Sequence, residues 1–146
     1  MKTIRLALLV ALFGGLTFAA RAADRAFLQG ILIAASHDAG QTDRRLAQYE
    51  PTLRRILRFE SFKFRGDDTG SFDVPGSGSL MISDGHELAV TTESSDGKTV
   101  HVKIRWTSGG RTLMNTGLVL RSGVPAVLGG PPTDKGEVYA VILIAR

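Results

Sequence analysis

The chain has 146 residues, 43% of them apolar and 22% charged, with 17 glycines, no cysteine and a formal net charge of +4. This length suits a single hydrophobic core, and zero cysteine excludes a disulfide framework, thiolate metal sites and cysteine nucleophiles. Glycine is well above its average share of about 7%, which points to turn-rich β structure.

Lys2 and Arg5 precede a 15-residue uncharged run, Leu6 to Ala20. Ala20-Arg21-Ala22 then puts small residues three and one before a cut ahead of Ala23. That layout predicts a cleavable secretory signal peptide at 1–22 and one exported domain at 23–146. A membrane-spanning helix needs about 20 apolar residues, and Arg21, Asp24 and Arg25 end this run earlier. The expected product is periplasmic or secreted, with no stable membrane span after cleavage. Three of the 18 basic residues leave with the leader, so 15 face 14 acids and the charge falls from +4 to +1. A domain so nearly neutral has no global field to gather a polyanion, and nucleic acid is not an expected partner.

Ala26 to Ser36 (AFLQGILIAAS) is apolar on both faces, as in a strand covered on two sides. Residues 43–58 (DRRLAQYEPTLRRILR) carry the helical period, with Leu46, Tyr49, Leu53, Ile56 and Leu57 on one side. Thr42 or Asp43 can cap the start, and Arg54, Arg55 and Arg58 suit the negative end of the dipole. Pro51 costs about 3 kcal/mol in a regular helix interior. It predicts a kink, or a short helix followed by a second one starting near Glu50-Pro51.

After the helix the period changes to two. Phe59, Phe62 and Phe64 predict a strand with large aromatics, Gly66 to Gly78 a turn-rich stretch, and Pro75 to Gly78 a loop. From Leu80 the alternation of Leu88, Val90 and Thr92, and of Val100, Val102, Ile104 and Trp106, predicts a meander. Inward residues on one face need partners whose numbers sum to an even value. That favours three-residue loops at Ser95-Asp96-Gly97 and Ser108-Gly109-Gly110, pairing Val90 with Val102 and Ile104 with Met114. Val124 to Leu128 and Glu137 to Ala145 add strands, and VYAVILIA reads as a central one. The fold class is α+β: a mainly antiparallel sheet or sandwich of about six to eight strands, with one amphipathic helix packed on a face.

No catalytic set emerges. Ser36-His37-Asp38 names the triad residues in a row, yet neighbours on a strand point to opposite faces. His37, His86 and His101 lack metal-ligand spacing, and Asp67, Asp68 and Asp73 do not match a calcium loop. Gly66 to Ser71 lacks the lysine of a phosphate loop, and Gly129-Gly130-Pro131-Pro132 reads as a rigid strand end. No metal or cofactor is expected. The strongest surface candidate is a basic stripe of Arg44, Arg54, Arg55 and Arg58, suited to an acidic partner, a polyanion or anionic headgroups.

Arg121-Ser-Gly-Val-Pro-Ala-Val-Leu-Gly-Gly followed by Val138-Tyr-Ala-Val-Ile-Leu-Ile resembles the gate-region strands of secretins. The order of leader, apolar strand, Leu53-Arg-Arg-Ile-Leu-Arg-Phe-Glu-Ser-Phe-Lys-Phe, hairpins and Gly-Gly strand resembles small exported bacterial proteins of unassigned function. These resemblances imply export and an α+β build, and transfer no catalytic residue. The leading expectation is a non-enzymatic envelope module that docks or assembles with another envelope protein, in service of a secretion or surface apparatus, through sheet edges that offer backbone donors and acceptors. The second is a small-molecule or lipid binder with Phe62, Phe64 and Trp106 lining a hollow between helix and sheet. The third is a hydrolase that uses a histidine.

Overall fold

Two strands apolar on both faces need cover on both sides, and this dictates a three-layer build. The computed structural model describes residues 24–83, 85–133 and 135–146; the expected signal peptide lies outside them. The strands are β1 (Asp24–Ser36), β2 (Ser61–Val74), β3 (Gly76–Ser83), β4 (His86–Ser95), β5 (Thr99–Ser108), β6 (Arg111–Arg121), β7 (Ala126–Pro132) and β8 (Val138–Ala145). They form two four-stranded antiparallel sheets, ordered β2-β1-β8-β7 and β3-β4-β5-β6. Both doubly apolar runs, β1 and β8, occupy the centre of the first sheet, the place expected for β8.

The first sheet turns Leu28, Leu32, Val141 and Leu143 toward the second, where Leu88, Val90, Ile104 and Trp106 meet them in a sandwich core. Its other face presents Ile31, Ile33, Ala140 and Ile142 to Leu46, Tyr49 and Leu53 of the helical segment. Among the described residues no helix covers the outer face of the second sheet, and its strands alternate buried and exposed residues. No helix among the described residues is long and apolar enough to cross a membrane.

The helical segment takes the broken form that Pro51 predicts. A 3-10 turn, Arg44–Leu46, is capped by Asp43, whose carboxylate accepts from the Arg45 backbone N–H at 3.0 Å. A separate helix α1 (Glu50–Leu57) then carries proline in its first turn, where a missing N–H costs nothing. This break shifts the helical phase, so a projection drawn through 43–58 misplaces Ile56. It is 49% exposed, whereas Leu46 and Leu53 are fully buried.

Two further expectations are corrected. Gly66 to Gly78 is strand and not turn-rich, and Pro75 to Gly78 is not a loop: β2 runs on to Val74, and only Pro75, after a cis peptide bond, separates it from β3. The glycines there permit close approach, since a Cβ at Gly66 would strike the Ile82 carbonyl and one at Gly78 the Phe72 ring. The hairpin registers also differ. Val90 pairs with Ile104, and Ile104 with Thr116. Parity is even, as expected, but it comes from tight turns plus bulges. Asp96 N–H donates to the Thr99 carbonyl at 3.1 Å across Gly97-Lys98, and Gly109-Gly110 turns with both φ angles positive. Glu93 and Leu113 are the unpaired bulge residues that restore the faces.

Candidate functional site

The arginine stripe is only partly a free cationic surface. Arg54 pairs with Glu50 at 2.8 Å and Glu60 at 3.4 Å. Arg44, Arg55 and Arg58 are exposed and make no ion pair among the described residues. Sequence reasoning passed over Arg45, which grips Asp43 through two nitrogens at 2.7 and 3.0 Å and stacks on the Phe64 ring at 4.0 Å. Hydrogen bonding from the Arg45 side chain is the main cause that holds the Asp43 carboxyl down at about 2, below the usual carboxylate range.

The three histidines fall in three surroundings. His37 is exposed and packs on Phe59 with ring centroids 4.4 Å apart. His101 points outward from β5, opposite Val119. His86 is buried at one end of the sandwich, edge-on to Tyr139 with centroids 4.8 Å apart. Ser36 Oγ accepts from the Asp38 backbone N–H at 3.1 Å, so Ser36-His37-Asp38 forms a strand-end turn.

His86 and Ser108 do approach, with Nε2 3.4 Å from Oγ. Trp106 Nε1–H, which can only donate, points at His86 Nδ1 at 3.1 Å. Nδ1 must therefore be the acceptor, and the neutral ring carries its proton on Nε2, facing the serine. A general base toward that serine needs the opposite tautomer. Burial also pushes the His86 pKa down. The pair is built to satisfy a buried indole.

Near the same end, Glu137 is 6% exposed and accepts from Lys63 Nζ at 2.9 Å and Arg65 Nη2 at 3.2 Å. The Lys63 hydrogen bond is the main cause of its lowered pKa. The aspartates of β2 are likewise employed in structure: Asp68 accepts from the Met81 backbone N–H at 3.0 Å, joining β2 to β3, and Asp73 pairs with Arg25 at 3.2 Å. The chain matches no protein-family model, no curated protein and no solved structure.

Phe62 and Trp106 are fully buried, on opposite sides of the first sheet, and Phe64 lies on the helix side beneath Arg45. The aromatics expected to line one hollow do not meet.

The feature with most binding capacity is a sheet edge. A hydrogen bond accepted by Asp68 from the Met81 N–H and one donated by Ser83 Oγ to the Arg65 carbonyl tie β2 and β3 together on one side of the sandwich. On the opposite side β6 and β7 are both terminal strands. Pro131 and Pro132 deny β7 two donors, which blunts it. β6 has no proline and runs 11 residues, and among the described residues only β5 pairs with it. Its inward Met114, Thr116 and Leu118 are only half-buried, whereas the inward Val102, Ile104 and Trp106 of β5 are fully covered. Outward, Val119 is 59% exposed. The signal available in the sequence was the absence of any acid from residues 99–121.

Proposed function

We propose that this chain is an exported envelope protein, periplasmic or secreted, that acts without catalysis as a docking module for another envelope protein, in the service of a secretion or surface apparatus. The leader pattern supports export. The observation that carries docking is the unpaired β6 edge, a row of backbone donors and acceptors of the kind that takes up an added strand. The His86 tautomer and the scattered positions of the other titratable groups lend no support to a histidine hydrolase.

The test is a photo-crosslinking amino acid at Asn115 or Val119 on β6, with Thr91 on the outer face of β4 as control, in intact cells. Adducts to a particular envelope protein from the two β6 positions and not from Thr91 are expected. No adduct from β6, or the same adducts from Thr91, removes the reading.

A further inference from the structure

We propose that the occupant of the β6 edge is an extended segment of a partner chain whose apolar side chains alternate and whose ends are acidic. This rests on the docking reading above and names what is docked.

The alternation follows from the half-covered interior. A strand added to β6 continues the second sheet, and every second side chain of it faces inward over Met114 and Leu118. Apolar groups there would bury the surface that β7, only seven residues long, leaves open. On the outer face Gly117 has no Cβ, and its nearest non-local atom would stand 4.0 Å away. That leaves room between Asn115 and Val119 for a large partner side chain.

The acidic ends follow from charge. β5 and β6 together carry Lys103, Arg105, Arg111 and Arg121 and no aspartate or glutamate. Only Lys103 has an ion-pair partner among the described residues, Glu93 at 3.2 Å. In a domain of almost balanced charge, this puts unneutralised cations at both ends of the open edge. The same two arginines disfavour a second copy of this chain. Antiparallel self-pairing centred on Thr116 sets Arg111 against Arg121 twice, and like charges directly opposite are destabilising.

Fluorescent peptides of about nine residues, alternating Val and Thr, test this against the purified protein. One peptide ends in Glu at both termini, one in Lys, and a third repeats residues 111–121. Anisotropy should give the Glu-ended peptide an affinity at least about tenfold the Lys-ended one. The preference should shrink between about 0.1 and 0.5 M salt and invert in the Arg111→Glu/Arg121→Glu variant. Hydrogen exchange should slow in β6 and not in β3. Equal affinity for both peptides, no protection of β6, or tighter binding of the 111–121 peptide with dimer formation would overturn the proposal. Failure of the peptides alongside specific crosslinks from Asn115 and Val119 sinks this inference and leaves the docking reading standing; absent crosslinks sink the docking reading itself.

Discussion

Trp106 is fully buried, and its one polar atom is satisfied by a ring nitrogen that can also bind a proton. Protonating His86 sets an N–H against the indole N–H, in a ring also packed edge-on to Tyr139. The folded state therefore resists a proton that the unfolded chain accepts near pH 6.5. Stability is complete above that value and declines as pH falls through the interval below it. Urea melts should give a lower unfolding free energy at pH 5 than at pH 7.5. A His86→Gln variant, whose amide oxygen can still accept from the indole, should lose that difference; if it persists, another group is responsible. Gly130 is the second sensitive residue, because a Cβ there would enter the Trp106 ring. Gly130→Ala should cost about 1–3 kcal/mol by overpacking, read as a fall in Tm. Neither effect is legible in sequence, since a Trp and a His 20 residues apart in chain show no sign of touching.

Among the elements, the helical segment was readable in kind and not in phase. The 3.6 period and Pro51 gave a broken helix, and Leu46, Tyr49 and Leu53 face the sheet. Ile56 does not, because α1 restarts at Glu50. Leu53→Ala should thus cost about 2–5 kcal/mol, and Ile56→Ala no more than about 0.5 kcal/mol; chemical denaturation of both variants checks the contrast. A second link at this scale joins β2 to the start of β8. Lys63 and Arg65 hold Glu137 ionised, a contribution present above the usual carboxylate pKa and lost as pH falls through the lowered one. Glu137→Gln should cost about 1 kcal/mol at pH 7, at the low end because Lys63 and Arg65 stay partly solvated. The penalty should shrink in melts at acid pH, as the Glu137 carboxyl itself becomes protonated.

At the scale of the whole molecule, the sandwich is closed where β2 bends into β3 and open where β6 and β7 end the two sheets. The open side is where half-covered apolar groups and unpaired cations coincide. Inserting lysines on the exposed face of this edge, Asn115→Lys with Val119→Lys, should change stability by no more than about 0.5 kcal/mol. Lysine on an edge strand discourages strand addition, so the same pair should abolish crosslinking to a docked partner from a probe at residue 117. Crosslinking retained from residue 117 in this variant would show that docking there does not proceed by strand addition to the β6 edge.

Composition and periodicity by themselves determined the β-rich α+β class, the two-sided cover of β1, the central place of β8, the face parity of the meander and the interruption of the helix at Pro51. These depend on local patterns of burial, which the alternation of side chains writes directly into the chain. Tertiary structure alone decided the registers, the passage of β2 across Gly66 into β3, the His86–Trp106 bond and which edges stay open. A register depends on which bulge and turn close best, and a close approach depends on what lies across the sheet. An open edge is defined by the strand that is missing beside it; the acid-free run 99–121 marks the charge of β5 and β6, and only the strand order shows that β6 ends its sheet.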